Sequence, residues 1–315
     1  MWTSPFESFV APARARPQLW RIILGFVLAM LTWAVVYVVM IAGIAYVAKA
    51  TSDPALAGPD GLPIWFADFT IGKTPTGVVA TLATFAGMLL GTILAARWLH
   101  RRSAGSLFGA HMLPDFVAAG AITGGVGLVA IVILGAGELT LRPYTPVDLF
   151  LTFLPIVLVA LLLQTGAEEL LFRGYLQSQL AARFRSPIVW MLVPSVMFGS
   201  LHIDIGTLWG TGRLAPNDVL IFAATTLVGL ITADLVRVTG SLGAAWGLHF
   251  VNNCQALLLI SLDDVLSGLA LYKLPFDGDD LEMLPFLILQ DMVLLVIIWA
   301  CIRLWLARRG RMAAA

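Results

Sequence analysis

Three short clusters of ionisable and amide side chains interrupt the apolar stretches of this chain. The first is Gln164-Thr-Gly-Ala-Glu168-Glu169-Leu-Leu-Phe-Arg173-Gly174. Adjacent helical positions diverge by about 100°, so the two carboxylates cannot share one role. Glu169 and Arg173 stand at i, i+4 with the acid first, the favourable order for an ion pair. Glu168 has only Phe172 at i+4. A desolvated, poorly paired carboxyl holds its proton more tightly than usual, which suits a general base near neutral pH. The second cluster is Phe198-Gly-Ser-Leu-His202, with both rings on one helix face. The third is His249-Phe-Val-Asn252-Asn253, where His249 and Asn253 present an imidazole and an amide side by side. Each cluster also has a plainer reading: a solvated helix end for Glu169 and Arg173, a hydrogen-bonded packing histidine for His202, and interhelical polar glue for His249 and Asn253.

The elements that must position these residues are membrane helices. Of 315 residues, 59% are hydrophobic and only 12% are charged, against roughly a quarter charged in a soluble domain. That composition excludes a soluble enzyme, a disordered chain and a nucleic-acid binder. The predicted fold class is all-α: a polytopic bundle forming one integral membrane domain over 1–315. About eight spans are expected, at Leu19–Ala48, Thr76–Leu99, Phe116–Ala136, Val147–Gln164, Ile188–Ile203, Val219–Val238, Leu242–Leu262 and Leu284–Trp305. The first run is too long for the core of a signal peptide. With both termini in the cytoplasm, only Lys49, Lys73, Arg142, Arg213 and Lys273 of the basic residues fall outside, which is the expected asymmetry. Residues 263–282 form an acidic outer loop with Asp263, Asp264, Asp277, Asp279, Asp280 and Glu282. Cys254 and Cys301 have no disulfide or metal-binding spacing.

Depth constrains the site. If the fourth helix continues to about Phe184 and turns at Ser186-Pro187, Glu168 and His202 stand level, roughly 24–27 Å along the hairpin. If it ends at Arg173, they lie at opposite membrane faces. His249 is only about nine residues beyond the Gly240 turn, or roughly 14 Å. Levelling it requires tilted helices or a turn sunk into the membrane. Gly243-Ala-Ala-Trp-Gly247 predicts a close helix–helix approach, as do Gly87-x-x-x-Gly91 and Gly120-x-x-x-Gly124.

In this order the clusters resemble the CPBP (Abi, CAAX-protease) family of intramembrane proteases, whose best-known branch is the type II CAAX prenyl endopeptidases. Glu168-Glu169-x-x-x-Arg173, Phe198-x-x-x-His202 and His249-x-x-x-Asn253 match the family pattern at all seven positions, within a core of about 147–260. The resemblance implies peptide hydrolysis, with Glu168 and His202 activating a water. His249 and Asn253 would stabilise the oxyanion, Glu169 and Arg173 would orient the site, and Phe198 would pack behind it. It implies a membrane-associated peptide or lipidated protein as substrate, prenylated CAAX-type ends included, and a site open to the cytoplasm. It favours a metal-independent glutamate mechanism. Two histidines and a carboxylate are nonetheless the ligand inventory of catalytic zinc, which His202 and His249 would then hold. No His-Glu-x-x-His is present.

Two other classes fit parts of the pattern. A proton-coupled transporter would use intramembrane carboxylates such as Asp291, or the Asp234/Arg237 pair, but no inverted repeat is visible. Asp291 also reads as a helix-end residue beside the acidic loop. A non-catalytic immunity or scaffold protein of the same family would keep the motifs for structure alone. The short Ala- and Arg-rich chain suits a bacterial plasma membrane.

Overall fold

The computed structural model describes residues 3–51, 61–135, 141–262 and 265–314. Asp263 and Asp264 of the acidic loop, and the predicted end of the third span at Ala136, lie outside them. The described chain is almost wholly helical, because a long apolar run in lipid can satisfy its backbone only internally. In order, the helices are α1 (Ser4–Val10), α2 (Leu19–Ala50), α3 (Gly61–Thr70), α4 (Pro75–Ala83), α5 (Ala86–His100), α6 (Met112–Gly135), α7 (Val147–Arg183), α8 (Ile188–Ser200), α9 (Ile205–Thr211), α10 (Asp218–Thr239), α11 (Gly243–Cys254) and α12 (Met283–Ala314). Six of the described segments are long and apolar enough to cross a membrane, counting α4 and α5 as one. A seventh is added if α8 and α9, bent by 65°, form one span. The run expected at Leu242–Leu262 is a 12-residue helix continued by a 5-residue π segment, Gln255–Leu259. It ends in extended backbone at Ile260.

Minor β structure accompanies the all-α bundle. Two-residue strands β1 (Arg142–Pro143), β2 (Ile260–Ser261) and β3 (Tyr272–Lys273) form one small sheet, ordered β1-β3-β2. β3 pairs antiparallel with β1 and parallel with β2. The sheet ties the segment after α11 to the approach to α7. The Lys273 ammonium sits 3.4 Å from the Tyr144 ring centroid, a cation–π contact.

α7 runs without a break from Val147 to Arg183. The chain turns after it, with Phe184 extended, so the longer of the two predicted hairpins forms. Within α7, Leu170–Gln177 is π-helical. π segments also open α8 (Ile188–Leu192) and close α11. Thus a π segment overlaps the first motif and another directly follows the third, a local widening common at functional sites.

α10 ends at Gly240, whose φ of +66° is left-handed and strains any residue with a Cβ. A Cβ there would stand 2.3 Å from the Pro5 carbonyl oxygen of α1. Residues 240–245 are all buried. The turn is therefore recessed beneath α1 rather than exposed at an edge. α1 itself is fastened by apolar burial of Phe6, Phe9 and Val10. Phe6 packs on Trp190 at a centroid distance of 5.0 Å, and Thr3 Oγ1 donates to the Arg237 carbonyl at 2.6 Å.

Close helix contacts arise where glycines remove side chains. A Cβ on Gly243 or Gly247 would lie 2.2 Å from the carbonyl oxygens of Met112 and Phe116, so α11 rests directly on the α6 backbone. Gly87 and Gly91 likewise meet the α2 backbone near Trp33 and Ala29. Gly120 and Gly124 make looser contact with Val251. α12 is held by ion pairs: Asp234 binds Arg237 at 2.6 Å, accepts from Trp299 Nε1 at 2.9 Å and pairs with Arg303, while Asp115 pairs with Arg309. The Asp234/Arg237 pair thus belongs to a structural clamp.

Candidate active site

α7 supplies Glu168, Glu169 and Arg173, α8 supplies Phe198, the bend after α8 supplies His202, and α11 supplies His249 and Asn253. Glu169 is completely buried, and Arg173, His249 and Glu168 are nearly so. Arg173 Nη1 donates to Glu169 Oε1 at 3.0 Å, realising the ion pair read from the i, i+4 spacing. The same oxygen accepts from His249 Nδ1 at 2.9 Å. His249 Nε2 faces Glu168 Oε2 at 3.4 Å. That oxygen is buried and has no hydrogen-bond partner among the described residues. One imidazole therefore bridges the two carboxylates, a contact that spacing within one helix cannot reveal.

Phe198 joins the remaining parts. Its ring stands edge-on to His249 at 5.8 Å and to Phe172 at 5.2 Å. The Arg173 guanidinium lies 4.8 Å from its centroid, so the cation is held by a carboxylate on one side and a π face on another. His202 packs on Phe198 at 4.8 Å, and its Nδ1 donates to the Phe198 carbonyl at 2.9 Å. This leaves His202 Nε2 free of its own helix. His202 is exposed, and lies close enough to Glu168 to act on its charge. Asn253 Nδ2 donates to Gln164 Oε1 at 3.1 Å, and Gln164 is also next to Glu168. All seven predicted residues thus belong to one connected cluster.

Sequence reasoning missed Gln164 and Phe172 as members of it. The signal for Gln164 was present, since it stands four residues before Glu168 and shares its face. It also missed the shell that grips the π segment. The Tyr175 hydroxyl is 2.9 Å from His100 Nε2, Gln177 Nε2 donates to the Ala233 carbonyl at 2.9 Å, and Arg102 Nη1 donates to Ser178 Oγ at 2.9 Å. Arg102 lies just past α5, and burial pushes its pKa down to about 10. Trp246 Nε1 donates to Thr165 Oγ1 at 3.1 Å, docking α11 on α7 near Gly166.

Among the described residues, no three His, Cys, Asp or Glu side chains converge as metal ligands. His249 Nδ1 is committed to Glu169 and His202 Nδ1 to a backbone carbonyl. With Nδ1 so held, each imidazole keeps Nε2 as its remaining ring nitrogen.

Three motif helices thus converge on a buried Glu–His–Glu bridge. Residues 150–255 match the family model of Type II CAAX prenyl endopeptidase Rce1-like proteins. The Rce1-like segment contains all seven cluster residues and ends just past Asn253. The matched family is one of proteases. Over 117 residues the chain is also 28% identical to the Bacillus subtilis (strain 168) protein named "Uncharacterized protein YyaK". That alignment covers 36% of this chain and 36% of the relative, so the two share about a third of their lengths. No solved structure matches the chain.

Proposed function

We propose that the protein is an intramembrane endopeptidase that hydrolyses a peptide bond of a membrane-associated substrate. A lipidated protein with a CAAX-type end is the substrate form that the Rce1-like similarity favours. The observation that carries the reading is the bridge of His249 between Glu168 and Glu169. Two carboxylates and one arginine leave an excess negative charge in a buried place, with His249 Nε2 standing 3.4 Å from Glu168 Oε2. A site that stores and returns one proton is what amide hydrolysis needs.

In the proposed reaction Glu168, assisted by His202, takes a proton from a water whose oxygen attacks the scissile carbonyl carbon. His249 Nε2 and the second N–H of Asn253 donate to the developing oxyanion. The tetrahedral intermediate collapses as the C–N bond breaks, and the proton passes from Glu168 to the leaving amine. Glu169 and Arg173 hold the imidazole in one orientation. No step uses a metal ion. Charge asymmetry supports a site open to the cytoplasmic side, with both termini inside a bacterial plasma membrane.

The test is a comparison of peptide termini in cells expressing wild type or Glu168→Gln at equal levels. The expected result is a set of new peptide ends present only with wild type, whose sequences name the substrate. Identical ends with both folded proteins would overturn the reading.

A further inference from the structure

A second site lies on the other side of α11. A cavity of about 760 Å³ opens between α6, α10, α11 and α12. This is the size of a pocket for one small ligand. Its wall is largely aliphatic, with Leu257, Leu287 and Leu294 among the lining residues, and no lysine or arginine among the described residues lines it. Asp291 projects onto this wall, more than two turns inside α12 rather than at the helix end.

Asp291 is unlike Glu169, Asp234 and Asp115. Glu169 has Arg173, Asp234 has Arg237 and Arg303, and Asp115 has Arg309. Asp291 has neither a hydrogen bond nor a charged partner among the described residues. Beside it, the buried Gln290 Oε1 also lacks a donor. Asp291 is exposed on the open side of the cavity, and an unpaired carboxylate within an apolar span is costly and marks a functional position by default. Among the described residues, the cavity thus offers hydrocarbon contact, the Asp291 carboxylate and a second unmet acceptor. Its complement is a hydrocarbon chain bearing a cation rich in N–H groups.

We propose that this cavity binds a single-chain amphiphile through its primary ammonium group, with Asp291 as the counter-ion and the aliphatic wall holding the chain. The ammonium supplies three donors and the charge that no side chain provides. The site is distinct from the Glu168 cluster, yet both use α11: Asn252 and Gln255 line the cavity, on either side of Asn253.

The test uses the full chain in phosphatidylcholine nanodiscs and follows thermal unfolding during titration with dodecylamine or dodecanol, which share a chain length. Dodecylamine is expected to stabilise wild type at concentrations about tenfold or more below those needed by Asp291→Asn, the loss expected on removing a charge-assisted hydrogen bond. Dodecanol is expected to act equally on both. Ala224→Trp, which fills the cavity and keeps the charge, is expected to abolish the response to amine, and supplies the test if Asp291→Asn does not fold. Equal amine midpoints for wild type and Asp291→Asn would overturn the proposal. So would an undiminished amine response in Ala224→Trp. Because the readout is binding, the outcome is independent of whether the Glu168 cluster cleaves peptides.

Discussion

Glu169 and His249 lie 80 residues apart and share a 2.9 Å hydrogen bond in which the imidazole donates and the carboxylate accepts. The same carboxylate oxygen holds Arg173. Glu169 is therefore the hinge between a helix-local ion pair and a contact between helices. Its burial makes both contacts strong, and leaves either partner costly to lose.

Breaking this pair from one side should be worse than removing it. Glu169→Leu or Arg173→Leu alone is expected to cost about 3–5 kcal/mol, because the remaining charge is buried without its partner. The double variant Glu169→Leu/Arg173→Leu should recover a substantial part of that loss. Thermal or denaturant unfolding in one detergent measures all three. Additive losses would show that the pair is not coupled.

Glu168→Gln has a different expected signature. Its Oε2 has no hydrogen-bond partner among the described residues, so an isosteric amide should leave stability within about 1 kcal/mol of wild type. Hydrolysis should fall by at least about 100-fold, the scale of general-base catalysis. Cleavage of a peptide identified by terminal sequencing, measured beside the unfolding midpoint, checks both halves.

Gly247→Ala adds one methyl at a point 2.2 Å from the Phe116 carbonyl oxygen. Backbone cannot yield as a flexible side chain would, so α11 must move away from α6. Overpacking of this kind costs about 1–3 kcal/mol. Since α11 carries His249 two residues later, activity should fall further than stability. Gly125→Ala, where a Cβ meets nothing within 4 Å, is the control and should behave as wild type.

The start of α12 should be sensitive to acid. Asp280 accepts from the backbone N–H groups of Met283 and Glu282, and these bonds hold its carboxyl below the usual carboxylate range. A depressed folded pKa contributes stability above the unfolded value, and that contribution is lost as pH falls through the folded one. Protection of Met283 and Leu284 against hydrogen exchange, taken relative to the intrinsic rate at each pH, should therefore fall at acid pH in wild type. Asp280→Ala should show low protection already at neutral pH, with no further acid step.

What could be read without a structure was local in origin. Apolar runs long enough to span lipid, the Glu169–Arg173 pair and the small-residue face at Gly243 and Gly247 depend on positions within one or two turns of a helix. Periodicity reports such relations directly. The ordered motifs also named the residues that cluster, because their types carry the chemistry wherever the helices place them. Relations between helices were not legible. Hydropathy does not encode a shift in backbone hydrogen-bond register, so the π segments at the first and third motifs were invisible. Whether α7 stopped at Arg173 or ran to Arg183 rested on such contacts as Arg102 with Ser178 and Gln177 with the Ala233 carbonyl. The depth of His249 rested on a turn recessed under α1, a segment whose docking through Phe6 and Thr3 has no periodic signature. For the same reason the sequence left Asp291 either as an intramembrane carboxylate or as a helix-end residue, and the structure places it on a cavity wall. The amino-acid sequence by itself determined which side chains sit in membrane helices and which pairs share a helical face. Tertiary packing alone decided that one imidazole bridges Glu168 and Glu169, since that distance is set by where α7 and α11 cross, not by anything either helix contains.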